Sequence, residues 1–499
     1  MKSISVLNLG ALLVTSMTPL AISCPTAHHG APIVDLSNGT YRGTYNQHYH
    51  RDLFLGMPYA KAPSLNSTWT GIRNTTNDTW VLGNHVSEDC LSINVVRPAG
   101  IPEGTKLPVA VWIHGGGWVN GGSSDPRYNL SFIVEQSVRK GMPIIAANMN
   151  YRLHAWGFLH SAELAAEGST NLGYRDQRLA LHWIKENIAN FGGDSERVTL
   201  WGESAGAFSV GSQLVAYGGQ DDKLFSAAIL QSRSPLLLHT TNCSVAEPVA
   251  CLRKLPTNEL SAVLNSTFAS PPSWGQVVDG DFIPASGRAL LKKGKFAKVP
   301  LLMGTNFDEG TEFAPQGINT TSQFVQYVRS VDLAKPAVHS IEKLYSNNPA
   351  VGIPGTLKGR PEGHLTYLGR QYKRAAAFSG DVFQHAGRRL TTQSYHWNVL
   401  VENEVVFTFN NVNGQGYDTV ISNNPLAGKP AFIINHNPNS YAQSLTWPQY
   451  QERSEKNLVF DVNVTGLAYI ESDSFRHKQI AYIIDNLYLA RPAIYFSRP

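Results

Sequence analysis

The chain has little cysteine, little charge of either sign and no basic run, and each shortage excludes a class of protein. Four cysteines, Cys24, Cys90, Cys243 and Cys251, in 499 residues are too few for a disulfide scaffold, and no Cys/His spacing resembles a zinc site. Only 16% of residues are charged, and the formal net charge is +4; without a basic cluster this argues against nucleic acid as the main partner. No second stretch of transmembrane length follows the N-terminus, so no integral membrane contact is expected, and no internal repeat or low-complexity tract occurs. What is present is a foldable globular chain, 42% hydrophobic, whose length allows two or three domains or one large α/β body.

The first residues read as an export signal. Lys2 supplies a positive start, Val6 to Val14 is apolar, and Ala21-Ile22-Ser23 offers small residues for cleavage. Residues 1–23 are therefore expected to be a signal peptide and 24–499 a single domain. Sequons at Asn38, Asn66, Asn74, Asn77, Asn129, Asn242, Asn265, Asn319 and Asn463 fit a glycosylated, extracellular surface. Cys243 and Cys251 close a short loop that, if oxidised, would contribute about 2.5 kcal/mol. Cys24 and Cys90 have no obvious local partner.

Alternating patterns between Ile33 and Tyr59 predict small strands, and the polar, Asn/Thr-rich stretch 60–85 reads as loop. Ser92 to Arg97, Val109 to Ile113 and Ile144 to Tyr151 have the apolar continuity of buried strands. Across 176–191 the period changes, with Leu179, Ala180, Trp183, Ile184, Ile188 and Phe191 recurring at three and four, which predicts a helix stopped by Gly192-Gly193. A strand at Arg197–Trp201, a helix to about Tyr217, a strand at Val299–Gly304, mostly helices over 320–393 and a strand at Ser394–Leu400 complete the reading. This is the rhythm of a mostly parallel, doubly wound α/β sheet.

Two stretches carry chemistry. In Gly202-Glu203-Ser204-Ala205-Gly206, glycines flank a serine two residues either side, the pattern of a nucleophile elbow: a serine on a strained strand-to-helix turn, with no room for side chains at 202 and 206. The pentapeptide is a weak signal alone. Its partner is His114-Gly115-Gly116-Gly117-Trp118, where consecutive glycines let backbone N–H groups turn toward an oxyanion. Glu309 follows the 299–304 strand, at the sheet edge where α/β proteins assemble sites.

Together with Ser87-Glu-Asp-Cys-Leu-Ser-Ile-Asn-Val, Asn150-Tyr-Arg-Leu, Gly157-Phe-Leu, Asp176-Gln-Arg-Leu-Ala-Leu-His-Trp, Asn190-Phe-Gly-Gly-Asp, Val278-Asp-Gly-Asp-Phe-Ile-Pro and Gly304-Thr-Asn-Phe-Asp-Glu-Gly-Thr, these motifs resemble the type-B carboxylesterase/lipase family, which includes cholinesterases and secreted fungal esterases and lipases. They stand in family order from about residue 33 to 480. The resemblance implies the α/β-hydrolase fold, with Ser204 as nucleophile, Gly116, Gly117 and Ala205 as oxyanion-hole amides and Glu309 as the acid that orients a histidine. It also implies a Cys243–Cys251 disulfide, a small-molecule carboxylic ester as substrate, and no cofactor or metal.

The chain departs from that pattern at the base. The family histidine lies on a loop after the strand resembled by Ser394–Leu400, yet here Leu400 runs into Val401-Glu402-Asn403 without one, and no histidine occurs between 397 and 435. Three more segments are shortened: between Pro63 and Leu65, removing the ion-pair partner expected for Glu88; near Asp78, removing the cysteine that would pair with Cys90; and between Pro430 and Phe432. Four clean losses have the form of an altered transcript, which sequencing across residues 395–410 tests. Cys90 is then free or bonded to Cys24. His396 and His436 are the remaining candidates for the base, His385 is expected at the surface, and His114 is expected to shape the glycine loop. Losing a triad histidine costs on the order of 10⁶-fold in rate, about 8 kcal/mol.

The expectation is a secreted serine carboxylic ester hydrolase acting through an acyl-Ser204 intermediate. A catalytically impaired relative that binds ligands or partners, and a lipase, are the alternatives. Trp118, Phe158 and Phe407 either line a gorge or pack in the core.

Overall fold

The computed structural model describes residues 30–61, 89–232, 274–331, 335–395, 399–403, 429–440, 445–451, 454–460 and 468–486. The leader at 1–23, most of the 60–85 loop, Cys24, Cys243, Cys251, His396 and Phe407 lie outside them.

A hairpin of β1 (Ile33–Leu36) and β2 (Gly39–Arg42) stands apart from the main sheet. The main sheet has 11 strands. In chain order they are β3 (Thr44–Asn46), β4 (Arg51–Pro58), β5 (Ser92–Pro98), β6 (Leu107–Ile113), β7 (Ile145–Met149), β8 (Gly193–Glu203), β9 (Ala227–Gln231), β10 (Leu301–Gly304), β11 (Val399–Asn403), β12 (Lys456–Phe460) and β13 (Ala468–Ser472). Across the sheet they run β13-β12-β11-β10-β9-β8-β6-β7-β5-β4-β3. All pairings from β7 to β12 are parallel, and the outer ones are antiparallel. This is the α/β-hydrolase architecture, a mostly parallel sheet flanked by helices.

The period-2 rule sorts the strand residues onto two buried faces. Val109, Val111, Ile113, Val198, Leu200 and Leu230 pack with helices α2 (Leu172–Asn187) and α3 (Ala205–Val215). Their neighbours Ala110, Trp112, Trp201, Ile229 and Leu302 pack on the other face against α1 (Leu130–Arg139) and the short helix Lys429–Asn435. Burial on both sides is why these strands read as continuous apolar runs rather than alternating ones. The helix predicted at 176–191 starts earlier, at Leu172, and ends in a 3₁₀ turn whose cap, Gly192, has φ +84°, the left-handed conformation glycine adopts most readily.

Residues 320–393 are largely helical, as expected, and Phe324, Ile341, Phe378, Ile480 and Ile483 join those helices to His477–Asn486 in a separate apolar cluster. The strand expected at Ser394–Leu400 is displaced. The helix Ala386–Tyr395 claims its first two residues, because Ser394 Oγ donates back to Leu390 O at 2.7 Å and the Tyr395 ring stacks on Phe296 at 4.2 Å while its hydroxyl donates to Ala297 O. Among the described residues the strand spans Val399–Asn403. The strands β9, β12 and β13 lie where the sequence reading had none.

The elbow depends on a backbone crossing. A Cβ on Gly206 would sit 2.0 Å from Ile113 O, and one on Gly202 would sit 2.4 Å from the Gly206 carbonyl carbon, so α3 touches the ends of β6 and β8 main chain to main chain. Overpacking costs about 1–3 kcal/mol, and a clash with backbone belongs at the upper end. Gly206→Ala is expected to lower the unfolding free energy by about 3 kcal/mol, seen as a fall in urea midpoint, whereas Gly355→Ala, with nothing within 4 Å of the added methyl, leaves it unchanged.

Candidate active site

Ser204 stands between β8 and α3 with φ 51° and ψ −125°, a region that non-glycine residues occupy only under constraint. The constraint comes from both sides: its N–H donates to Gln231 O at 3.0 Å, and its carbonyl accepts the first helical bond, from Phe208 N at 3.0 Å. The first N–H groups of α3, Ala205 among them, have no partner within the helix.

The glycine run leaves β6 and lies directly against this turn. A Cβ on Gly115 would lie 2.7 Å from Glu203 O, 2.9 Å from Glu203 Oε2 and 3.1 Å from Ser204 Cβ, so only glycine fits there. Gly116 and Gly117 have φ of +98° and +61°. His114 fixes the loop from behind. Its ring stacks on Tyr151 at 4.5 Å, the Tyr151 hydroxyl donates to His114 O at 2.8 Å, and its Nδ1 lies 2.9 Å from Gly115 O. Burial pushes the His114 pKa down to about 4, so the ring is neutral at pH 7, and a carbonyl acceptor assigns the proton to Nδ1. In a trans peptide C=O and N–H point opposite ways; holding Gly115 O on the imidazole turns the Gly116 N–H away from it.

Glu309 follows β10 and is 8% exposed. Its Oε1 accepts from Ser232 Oγ at 2.6 Å and from Asn306 N at 2.7 Å, while Asn306 Nδ2 donates to Ser232 Oγ at 3.4 Å. Ser232 follows β9, with φ 54° and its N–H on Gly304 O. Ser204, Ser232 and Glu309 thus follow three adjacent parallel strands at one sheet edge. Sequence reasoning missed Ser232 and Asn306; the available signal was the apolar run Ala227–Leu230 ending at Gln231-Ser232.

Glu203 was also missed, hidden inside the elbow motif. Burial and then the charge of Glu309 push its carboxyl up to about 8, opposed by Arg127.

The histidines divide by place. His385, expected at the surface, is buried at 5% exposure in the turn Asp381–His385, its Nδ1 3.5 Å from Thr305 Oγ1. Burial and the guanidinium groups of Arg476, Arg388 and Arg389 hold its pKa well below the usual value. That is a correction: Arg388 and Arg389 face inward to Asp473 rather than to solvent. His436 Nε2 lies 3.3 Å from Ser226 Oγ. Ser226 precedes β9 and Ser232 follows it, so His436 is at the opposite sheet edge from Ser204 and is no base for it in this arrangement.

Trp118 and Phe158 are each 4% exposed, Trp118 packing on Phe208 and Phe158 on Tyr174, so both are core residues behind the glycine loop. Cys90 is free and buried, its thiol pushed up to about 12 chiefly by burial. Among the described residues no group of three His, Cys, Asp or Glu is placed to hold a metal ion, and no helix is long and apolar enough to cross a membrane. An open hollow of about 390 Å³ lies where β12 begins and β13 ends, and its Asp473 is already bound by Arg388 and Arg389.

The sequence profile described as the Carboxylesterase family matches residues 30–351. Lipase 2 of Geotrichum candidum is 34% identical over 453 residues, covering 78% of each chain. Lipase 4 of Diutina rugosa is 34% identical over 432 residues, covering 78% of this chain and 77% of its own. Secreted lipase 1 of Botryotinia fuckeliana is 32% identical over 458 residues, covering 81% and 77%. Among solved structures, that of Aspergillus niger EstA superposes with a TM-score of 0.73 at 24% identity, over 91% of this chain and 98% of the other, a likeness of fold.

The backbone of Ser204 offers a test of strain. A disfavoured φ/ψ costs on the order of 1–3 kcal/mol in a residue with a Cβ, and glycine avoids that cost at some entropic penalty. Ser204→Gly is expected to be more stable than Ser204→Ala by about 1 kcal/mol in urea unfolding; the reverse order would show an unstrained elbow.

Proposed function

Since the chain belongs to the carboxylesterase family, we propose that it is a secreted carboxylic ester hydrolase working through an acyl-Ser204 intermediate. The observation that carries this reading is the contact of the Gly115–Gly117 loop with the Ser204 turn. Ser204 Oγ attacks the ester carbonyl, and the N–H groups of Gly116, Gly117 and Ala205 meet the oxyanion. The alcohol leaves, and water releases the acid from the acyl-serine. Glu309, fixed by Ser232 and Asn306, is the triad acid. Residues 1–23 serve as the signal peptide and 24–499 as one catalytic domain. The positive start, the sequons and a relative called a secreted lipase support export.

The absence of histidine from 397 to 435 favours a second reading, a chain of low turnover that retains ester or ligand binding. The names of the relatives bring in a third, hydrolysis of lipid esters.

Purified protein with a chromogenic short-chain ester, a tributyrin emulsion and a serine-reactive phosphonate separates them. The first reading expects turnover of the soluble ester and labelling confined to Ser204, both lost in Ser204→Ala. Turnover of the emulsion well above that of soluble ester would mark a lipase, while binding without turnover or labelling would sink the enzyme.

A further inference from the structure

We propose that Glu203 is the general base of this chain, accepting the Ser204 proton that a histidine accepts in a serine triad; the inference rests on the acyl-Ser204 reading. The sequence leaves the position open, with no histidine from 397 to 435; His396 lies outside the described residues, and three described histidines are committed elsewhere. His436 is at the far sheet edge, His385 meets Thr305 beyond β10, and His114 holds Gly115 O. Glu203 is next to Ser204 in sequence, and its carboxylate turns to the same side: Oε2 and Ser204 Cβ lie 2.9 and 3.1 Å from one point above Gly115. That point belongs to the glycine loop, so the Glu203 carboxylate and the Ser204 side chain both border Gly115.

The surrounding charges suit the task. Glu309 faces Glu203 from the loop after β10, and Arg127 and Tyr128 face it from the turn Pro126–Tyr128. Asp125 already engages Arg127 through Nε at 3.0 Å and Nη2, and Tyr128 is kept neutral by burial, which pushes its hydroxyl up. The Glu203 carboxyl, up at about 8, therefore has an affinity for protons close to that of an effective base at neutral to mildly alkaline pH.

The proton balance closes. Glu203 carboxylate takes the Oγ proton as the Oγ–C bond forms and the carbonyl π pair moves to oxygen. Collapse breaks the bond to the alcohol oxygen, which leaves with the proton from Glu203. Water then gives its proton to Glu203 as its oxygen adds to the acyl carbon. Ser204 Oγ departs and recovers that proton, leaving acid, alcohol and the starting enzyme.

The test is the pH profile of p-nitrophenyl butyrate hydrolysis by the full secreted chain, with phosphonate labelling of Ser204 alongside. Turnover is expected to rise with pH and level off only above about pH 8, whereas a histidine base would level off about 1.5 units lower. Glu203→Gln should cut kcat by about 100-fold or more with KM within about twofold, and Glu203→Ala should regain rate when formate or imidazole is added. If Glu203→Gln keeps kcat within about threefold while Ser204 is still labelled, or the profile turns near 6.5, Glu203 is not the base and the ester-hydrolase reading survives. A folded Glu203→Ala that added base cannot rescue also overturns the role. No turnover and no labelling of wild type at any pH overturns both.

Discussion

Everything at the functional edge depends on how closely α3 crosses the ends of β6 and β8. Gly202, Gly206 and Gly115 are each within a distance of neighbouring main chain that no Cβ tolerates. That closeness drives the Ser204 side chain out of the turn and sets the glycine loop beside it. The contact has no hydrogen bond of its own. It is a packing constraint, upheld by the apolar faces that press α2 and α3 onto the sheet, and it turns core stability into a fixed geometry for one hydroxyl and its neighbouring amides.

The charges around that edge are organised differently from the rest of the molecule. Elsewhere several buried ions are matched: Arg152 forks onto Asp176 at 2.6 and 2.7 Å, and Asp473 receives Arg388 and Arg389. At the edge two carboxyls, Glu203 and Glu309, face each other, and the nearest cation, Arg127, is held by Asp125. Desolvation and a like charge both favour the proton-bound form. Glu309 accepts hydrogen bonds from Ser232 and Asn306, and the Glu203 carboxyl is pushed up to about 8.

Much of this was legible from the residues. The apolar runs of β5 to β8 announced buried parallel strands, Gly192 marked the helix end, and the glycine spacing marked the elbow. What escaped depended on partners distant in sequence. Strand β9 is only five residues, and nothing in Ala227–Gln231 distinguishes a central strand from a helix segment until β8 and β10 flank it. Ser394 and Tyr395 read as the start of a strand, but Phe296 and Ala297 bind Tyr395 at the end of a helix. His385 looked exposed because two arginines follow it, and only the fold supplies Asp473 to draw them inward. Ser232 carries no motif; its role is created by Glu309, 77 positions later.

Several places where the chain breaks its own folding rules gather at one end of the central strands, while others, such as His50, Tyr217 and Lys223, lie elsewhere. Trp118, Ser204 and Ser232 hold positive φ without being glycine, Gly115 and Gly116 admit no side chain, and Glu203 faces a like charge in a desolvated setting. All follow the C-terminal ends of β6, β8 and β9 or answer the loop after β10. The opposite ends of the same strands are bound by ordinary contacts, such as Ser226 N on Val198 O and Leu107 N on Gly192 O. A sheet that satisfies its packing and hydrogen bonding through its middle can sustain several kcal/mol of local strain at one edge. The serine, the glycine loop and the two carboxyls share the edge that bears it.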